Sequence, residues 1–192
     1  MMNRTVALAV GALGACALSA CAVFPDQYDP VKEQQYVSVI NSLTWTNPLT
    51  GKRDGLRSAW PMRTLQGQTE VFPLAQVKEC PAAGAPCAWG VLSASRSVAR
   101  AGYVQGGVKL DLQLALALER RQEMRQDSFS TALTIPADVA ALHWRKDERR
   151  ALTLPYGKVE RIEFEHGLRF EVCALRYDAA GQPLDSCAIP YI

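Results

Sequence analysis

The stretch VKLDLQLALALE, residues 108–119, decides the fold, because apolar and more polar side chains alternate along it without a break. Valine or leucine occupies every even position from Val108 to Leu118. A strand projects successive side chains to opposite faces, so this period of two predicts a half-buried strand. A helix would spread the leucines around its circumference, although leucine, alanine and glutamine are good helix formers. A helical run within 115–125 stays open as an alternative.

Shorter segments of the same kind fill most of the chain and are separated by glycine, proline and aspartate. Residues 129–135 alternate again, which predicts a hairpin whose tip is 120–126. For residues 136–144 the sequence leaves both a helix and a strand open. Further strand candidates are 36–46, 71–80, 88–99, 151–156, 159–166, 168–177 and 184–191. The sequence therefore predicts a mainly β fold, an antiparallel β-sandwich or partly open barrel of about seven to nine strands with at most a short helix.

The N-terminus has the pattern of a signal peptide. Residues 1–4 contain one arginine, and residues 5–18 carry no charge. That apolar run is too short for a membrane-spanning anchor but has the length of a signal-peptide core. It ends in LSAC at 18–21, which resembles the lipobox of bacterial lipoprotein precursors. Two alternatives stay open: the similar LGAC at 13–16, which would make Cys16 the modified residue, and a plain signal peptide.

The resemblance implies where the protein resides. In such precursors the peptidase cuts before the lipobox cysteine, so the mature chain would begin at Cys21, with a diacylglyceryl group on its thiol and an acyl chain on its new amine. Two or more chains give stable anchoring where one is marginal. Ala22 rather than aspartate follows the cysteine, which in Gram-negative lipoproteins favours the outer membrane. We therefore expect a lipid-anchored outer-membrane protein that faces the periplasm.

The composition indicates one globular domain on a tether. We expect residues 1–20 to be the signal peptide, 21–35 a lipidated tether and 36–192 a single β-rich periplasmic domain. Two prolines and four charged side chains within 22–35 disfavour a packed core there. The whole chain has 21 basic and 19 acidic residues, a net charge of +2. This balance gives no argument for nucleic acid as a partner.

Four further cysteines form two pairs, each around a turn sequence. Prolines and a glycine lie between Cys80 and Cys87, and DAAGQP lies midway between Cys173 and Cys187. An even number of cysteines in an oxidising compartment indicates disulfides, with three connectivities to choose from. A hairpin about each turn would place the two cysteines of a pair opposite one another, within disulfide range. We predict Cys80–Cys87 and Cys173–Cys187, and, because neither pair has zinc-site spacing, no metal or cofactor.

The sequence offers no motif for catalysis. It contains no GxSxG, HExxH or SxxK pattern. Only two histidines occur, His143 and His166. Glu163 and Glu165 precede His166, but on a strand they would project to the face opposite the imidazole. We therefore expect neither an enzyme nor a metal site.

Three sets of residues are candidates for contact with a partner. Residues 47–62 are long for a hairpin connection, and long loops on a rigid β scaffold often bind. Arg57 and Trp60 would be the strongest contacts there. The other two sets are basic clusters with interspersed acidic residues, for which simple solvation is the alternative. They are Arg120, Arg121 and Arg125 at one predicted hairpin tip, and Arg145, Lys146, Arg149 and Arg150 at another predicted turn.

These features favour a lipid-anchored accessory module, without catalysis, that binds another envelope protein. A second hypothesis is a carrier that holds an apolar ligand against the leucine face of 110–118, which would require a cavity there. A third is an envelope hydrolase, which would require a serine within hydrogen-bond reach of His143 or His166.

Overall fold

The computed structural model describes residues 36–80, 85–126 and 128–189. The predicted signal peptide, the tether and Cys21 lie outside this part of the chain. The described residues form ten strands: β1 (Tyr36–Thr46), β2 (Arg53–Pro61), β3 (Thr69–Glu79), β4 (Ala88–Val104), β5 (Gly107–Glu119), β6 (Arg121–Gln126), β7 (Phe129–Thr134), β8 (Trp144–Pro155), β9 (Val159–Glu163) and β10 (Arg169–Tyr177). One helical turn, α1 (Met62–Leu65), joins β2 to β3, and a 3-10 turn spans Glu165–Gly167. Neither is long and apolar enough to span a bilayer.

Two four-stranded antiparallel sheets pack together as a sandwich. Sheet A has the strand order β2-β1-β10-β9, and sheet B has the order β3-β4-β5-β8. Strands β6 and β7 pair with each other as a separate hairpin. The predicted mainly β, sandwich-like fold is therefore confirmed. The strand number exceeds the expected seven to nine, because two segments expected to be loops, 53–61 and 121–126, are strands.

The alternating row that predicts the fold lies at the centre of the core. Each even-numbered side chain from Val108 to Leu118 is at most 3 % exposed. These side chains belong to one buried cluster with Leu43, Phe170 and Val172 of sheet A. The helical alternative for 115–125 is wrong, since β5 runs to Glu119 and β6 begins at Arg121. Burying the whole leucine row against a second sheet outweighs the helix propensity of its residues.

A polar cluster is buried between the two sheets. Arg96 of β4, only 2 % exposed, donates from Nη2 to Glu70 Oε2 at 2.5 Å and to Ser58 Oγ at 3.2 Å. Ser58 Oγ donates to Glu70 Oε2 at 3.0 Å and accepts from Asn41 Nδ2 at 3.1 Å. Burial lowers the pKa of Arg96 to about 10, although the charge of Glu70 opposes the shift. The guanidinium therefore stays protonated at neutral pH and links β1 and β2 to β3 and β4.

Strand β8 begins well before the predicted start at residue 151. Its first half is the charged run 145–150, in which Lys146, Glu148 and Arg150 pair with the inward-facing leucines of β5. Because β8 is the edge of sheet B, these side chains reach water around the rim. Inward-pointing charges on an edge strand oppose pairing with other chains. A charged run is thus compatible with a strand at this position.

Both predicted disulfides are present. The Cα atoms are 4.2 Å apart in Cys80–Cys87 and 6.1 Å apart in Cys173–Cys187. The predicted strand 184–191 is wrong for the described residues 184–189, which contain no strand. Of the segment 136–144, residues 136–143 form neither helix nor strand apart from one bridge at Ala141, and Trp144 is the first residue of β8. The second disulfide instead holds the C-terminal segment against the outer face of sheet A. There Ile189 joins a small apolar cluster with Cys173.

Candidate functional site

The segment predicted as one long binding loop, 47–62, is mostly strand. Only 47–52 forms a loop, since β2 runs from Arg53 to Pro61. Arg57 is paired with Ser42 on the outer face of sheet A, whereas Trp60 packs against the core between the sheets. Arg57 and Trp60 were expected in a loop, and this placement is wrong, because both belong to β2 and lie on opposite faces of the strand.

The first basic cluster does not form a hairpin tip. The predicted tip at 120–126 is wrong, because residues 121–126 are strand β6, which pairs with β7. Arg120 lies at the base of the hairpin, where Nη2 donates to Val139 O at 3.0 Å and Nη1 donates to Pro136 O. Arg121 is exposed on β6, and exposed Arg125 pairs with Glu123 at 2.9 Å. Arg120 thus has a structural role apart from the other two.

The second basic cluster lies on β8 rather than at a turn. Its members alternate between the two faces of the strand. Lys146 and Arg150 share one carboxylate, Glu148, at 3.4 and 2.8 Å. Arg145 and Arg149 project outward, and Arg145 lies 3.7 Å from Asp147. Alternation and ion pairing divide this cluster, so it presents no single cationic surface.

The short loop that remains, residues 47–51, is a rigid ridge at one end of the sandwich. Asn47 organises it: Oδ1 accepts from the backbone N–H groups of Leu49 at 2.8 Å and Thr50 at 3.2 Å, and Nδ2 donates to Asp54 Oδ2 at 2.8 Å. Gly51, at φ +67°, closes the turn by donating to Asn47 O at 2.9 Å. Leu49 is consequently held with 84 % of its surface exposed. We call residues 47–51 the Leu49 ridge.

A cleft lies on either side of the Leu49 ridge. The larger, of about 480 Å³, is bounded opposite the ridge by Lys78, Glu79 and His166. The smaller, of about 290 Å³, is bounded by Trp45, Asp54 and residues 74–76. Residues 47–49 line both clefts. An aliphatic side chain on a fixed loop between two clefts resembles the anchor residues of protein interfaces, which are apolar and ringed by polar groups.

The wall of the larger cleft is fixed by His166. This residue has a left-handed backbone, φ +59°, just before Gly167. Its Nδ1 lies 2.6 Å from Glu79 Oε2, and its ring meets Trp144 edge-on at a centroid distance of 5.6 Å. Glu79 precedes Cys80, so the Cys80–Cys87 disulfide adjoins the same wall. The imidazole of His166 and the carboxylate of Glu79 make this side of the cleft polar, and the disulfide cross-links the chain beside it.

The two histidines have different surroundings in the structure. His143 is exposed, whereas the hydrogen bond of His166 goes to Glu79. Among the described residues, none of the hydrogen bonds joins either histidine to a serine. Within the same part of the chain, no group of three or more histidine, cysteine or carboxylate side chains could hold a metal ion.

The leucine face of 110–118 lines neither cleft at the Leu49 ridge. It also lines no part of a third cavity, of about 300 Å³, which is bounded by Tyr36, Tyr103, Tyr177 and Arg63. The leucine row itself is packed against sheet A.

The Leu49 ridge lies within 47–62, the segment in which the sequence predicts a partner contact. Leu49 and Glu79 were not among the candidates. The pattern N-P-x-x-G at 47–51 contains asparagine, proline and glycine at turn positions, which was the available signal for a tight loop. Glu79 and His166 are 87 positions apart, so no local sequence pattern indicated that their side chains are in contact. No protein-family model matches the chain, and no curated protein or solved structure is significantly similar to it.

Proposed function

We propose that this protein is a lipid-anchored module of the bacterial cell envelope that binds another envelope protein through the Leu49 ridge, without catalysis. The observation that carries the proposal is the exposure of Leu49, 84 %, on a loop whose backbone is already hydrogen-bonded. Burying a large aliphatic side chain stabilises a complex by about 1.5–3 kcal/mol. A preformed loop loses little conformational freedom on binding, so more of that free energy contributes to affinity.

The surroundings of the ridge supply polarity for recognition. Lys78 and Glu79 line the larger cleft beside the ridge, and Asp54 lines the smaller one. Charges at the rim of an interface orient the correct partner and disfavour incorrect partners. Their contribution to affinity is smaller. A protein partner would place an apolar pocket over Leu49 and polar groups against both clefts.

The proposed location rests on the sequence and on the disulfides. The lipobox-like LSAC at 18–21 supports lipidation at Cys21 and export to the outer membrane. Two disulfides support an oxidising compartment such as the periplasm, because cytosolic thiols are kept reduced. A periplasm-facing domain on a lipid anchor would meet envelope proteins as its natural partners.

Site-specific photocrosslinking in intact cells tests the proposal. A photoreactive amino acid is placed at Leu49 in the full-length protein, and adducts are identified by mass spectrometry. The control position is Thr153, which is exposed on β8 of sheet B, away from the ridge. We expect one envelope protein to be captured reproducibly at position 49 and not at 153. Equal capture at both positions, or none at 49, would contradict the proposal.

A further inference from the structure

The outer face of sheet A is divided into two unlike halves. One half is apolar: Ile40, Cys173 and Leu175 lie under the C-terminal segment and contact Ile189. The other half is polar, and its arginine side chains come from three strands. These are Arg53 and Arg57 of β2, Arg161 of β9 and Arg169 of β10, which we call the arginine face.

Strand register brings these arginines onto one side of the sheet. Arg57, Ser42, Glu171 and Arg161 form one row across the four strands. In the next row Gly55 takes the place of a side chain on β2, opposite Thr44, which is in turn opposite Arg169. Residues two apart on a strand share a face, so Gly55 leaves a gap between the side chains of Arg53 and Arg57. Within the part of the chain that the structure describes, the arginines therefore surround the position at which β2 has no side chain.

The arginine face carries more positive than negative charge. Among the described residues this face has two carboxylates: Glu171 pairs with Arg161 at 2.8 Å, and Glu163 pairs with Arg169 at 2.9 Å. Counted over the described residues alone, four guanidinium groups and two carboxylates give a formal excess of +2. Arg53 donates to neutral oxygens, Thr44 Oγ1 at 3.0 Å and Gly167 O at 3.4 Å.

Two further observations indicate that Arg53 and Arg169 retain capacity for an anion. Partial burial, followed by the charge of Arg169, lowers the pKa of Arg53, so the positive charges repel one another. Arg169 Nε is buried with no hydrogen-bond partner among the described residues. An anion in the gap would reduce the repulsion and accept hydrogen bonds from these groups.

We infer that the arginine face binds a phosphate group, carried by a lipid headgroup or by a soluble phosphate. The planar guanidinium fork matches phosphate oxygens in pairs, and a phosphate presents several oxygens to arginines on different strands. Its charge of about −1.5 to −2 matches the excess of the face. The arginine face approaches the Leu49 ridge at Arg53, which donates to Gly167 O at the larger cleft. Phosphate binding needs no protein at the ridge, so either proposal can fail without the other.

A titration with matched charge variants tests this inference. The full-length protein, kept in an uncharged detergent, is titrated with inorganic phosphate and separately with micelles that contain phosphatidic acid, at constant ionic strength. The test variant is Arg53→Gln with Arg169→Gln. The control, Arg100→Gln with Lys109→Gln, removes the same charge from exposed positions on β4 and β5. We expect the test variant to bind at least about tenfold more weakly and the control to stay within about twofold of the unmodified protein.

The two titrations, with inorganic phosphate and with phosphatidic acid, distinguish a soluble phosphate from a lipid headgroup. Binding of both ligands supports a lipid headgroup, and binding of inorganic phosphate alone supports a soluble phosphate. Gly55→Asp keeps all four arginines, is compatible with the extended backbone of β2 and puts a carboxylate in the gap, so it should abolish binding in a folded protein. Absence of binding to either ligand, or equal loss in the test and control variants, would overturn the inference.

Discussion

The guanidinium carbon of Arg96 lies 3.5 Å from the centre of the Trp60 ring, so a cation of sheet B stacks on an aromatic side chain of sheet A. The same guanidinium pairs with Glu70 and contacts Ser58. A desolvated cation on an indole stabilises by about 2 kcal/mol. A charged group thus sits where a sandwich normally places a hydrocarbon side chain, and its partners compensate for its burial.

Replacing Arg96 with methionine should lower the free energy of unfolding by about 3 kcal/mol, because Glu70 loses its cationic partner. Urea denaturation of the full-length protein measures the change. Arg100→Met, an exposed position on the same strand, serves as the control and should change stability by no more than about 0.5 kcal/mol. Adding Glu70→Gln to Arg96→Met should recover part of the loss. An Arg96→Met protein as stable as the unmodified one would show that the pair does not hold the sheets together.

Removing the Cys173–Cys187 disulfide should destabilise the protein by about 3 kcal/mol in the chain-entropy model, since it closes a ring of about fifteen residues. It should also release the C-terminal segment from Ile40 and Leu175. The measurement is limited proteolysis of Cys173→Ala with Cys187→Ala, in which new cuts are expected after residue 178. The matched control removes Cys80 and Cys87 and should leave the C-terminal segment protected. Cuts at the same sites in both variants would contradict this role.

The fold was predictable because its decisive signal is local. The alternation from Val108 to Leu118 is a strand pattern that needs no knowledge of the partner sheet, and the turn at 178–183 indicated which cysteines pair. The charged strand 145–150 was not predictable from hydropathy. It is a strand because it pairs with β5 along its length, and its charges are tolerated only at the edge of the sheet.

The candidate site was less predictable because its parts are remote in sequence. The Leu49 ridge and His166 line the same cleft, although more than a hundred residues separate them in the sequence. The arginine face combines residues of β2 with residues of β9 and β10 that lie more than a hundred positions away in the sequence. Charged residues that are consecutive in the sequence are easy to recognise as a cluster. On a strand, however, neighbouring side chains project to opposite faces, as those of Arg145 and Lys146 do.

The C-terminal segment should loosen at acidic pH because of one ion pair. Arg176 donates two side-chain hydrogen bonds of 2.9 Å to Asp185, and these lower the pKa of that carboxyl below its usual 3.8. A depressed carboxyl pKa contributes stability that is full above 3.8 and is lost as the pH falls through the folded-state value. The stability difference between the unmodified protein and Asp185→Asn should therefore shrink as the pH drops from 6 to about 3. A difference that is constant over this range would contradict the pairing.

Replacing Cys21 with serine should release the protein from membranes, because serine offers no thiol for the diacylglyceryl group. Fractionation of cells into membrane and soluble parts measures this. Cys16→Ser is the matched control and should leave the protein in the outer membrane. Membrane retention of Cys21→Ser with Cys16 intact would instead identify Cys16 as the lipidated residue.

The most direct test of binding through the Leu49 ridge is chemical crosslinking of the full-length protein in intact cells, compared between Leu49→Asp and Leu184→Asp. Both positions are exposed leucines, but only Leu49 lies on the ridge between the two clefts. A charge at an interface anchor opposes burial by several kcal/mol, so we predict that Leu49→Asp abolishes capture of the envelope partner while Leu184→Asp retains it. Capture of the same partner by both variants would contradict binding through the Leu49 ridge.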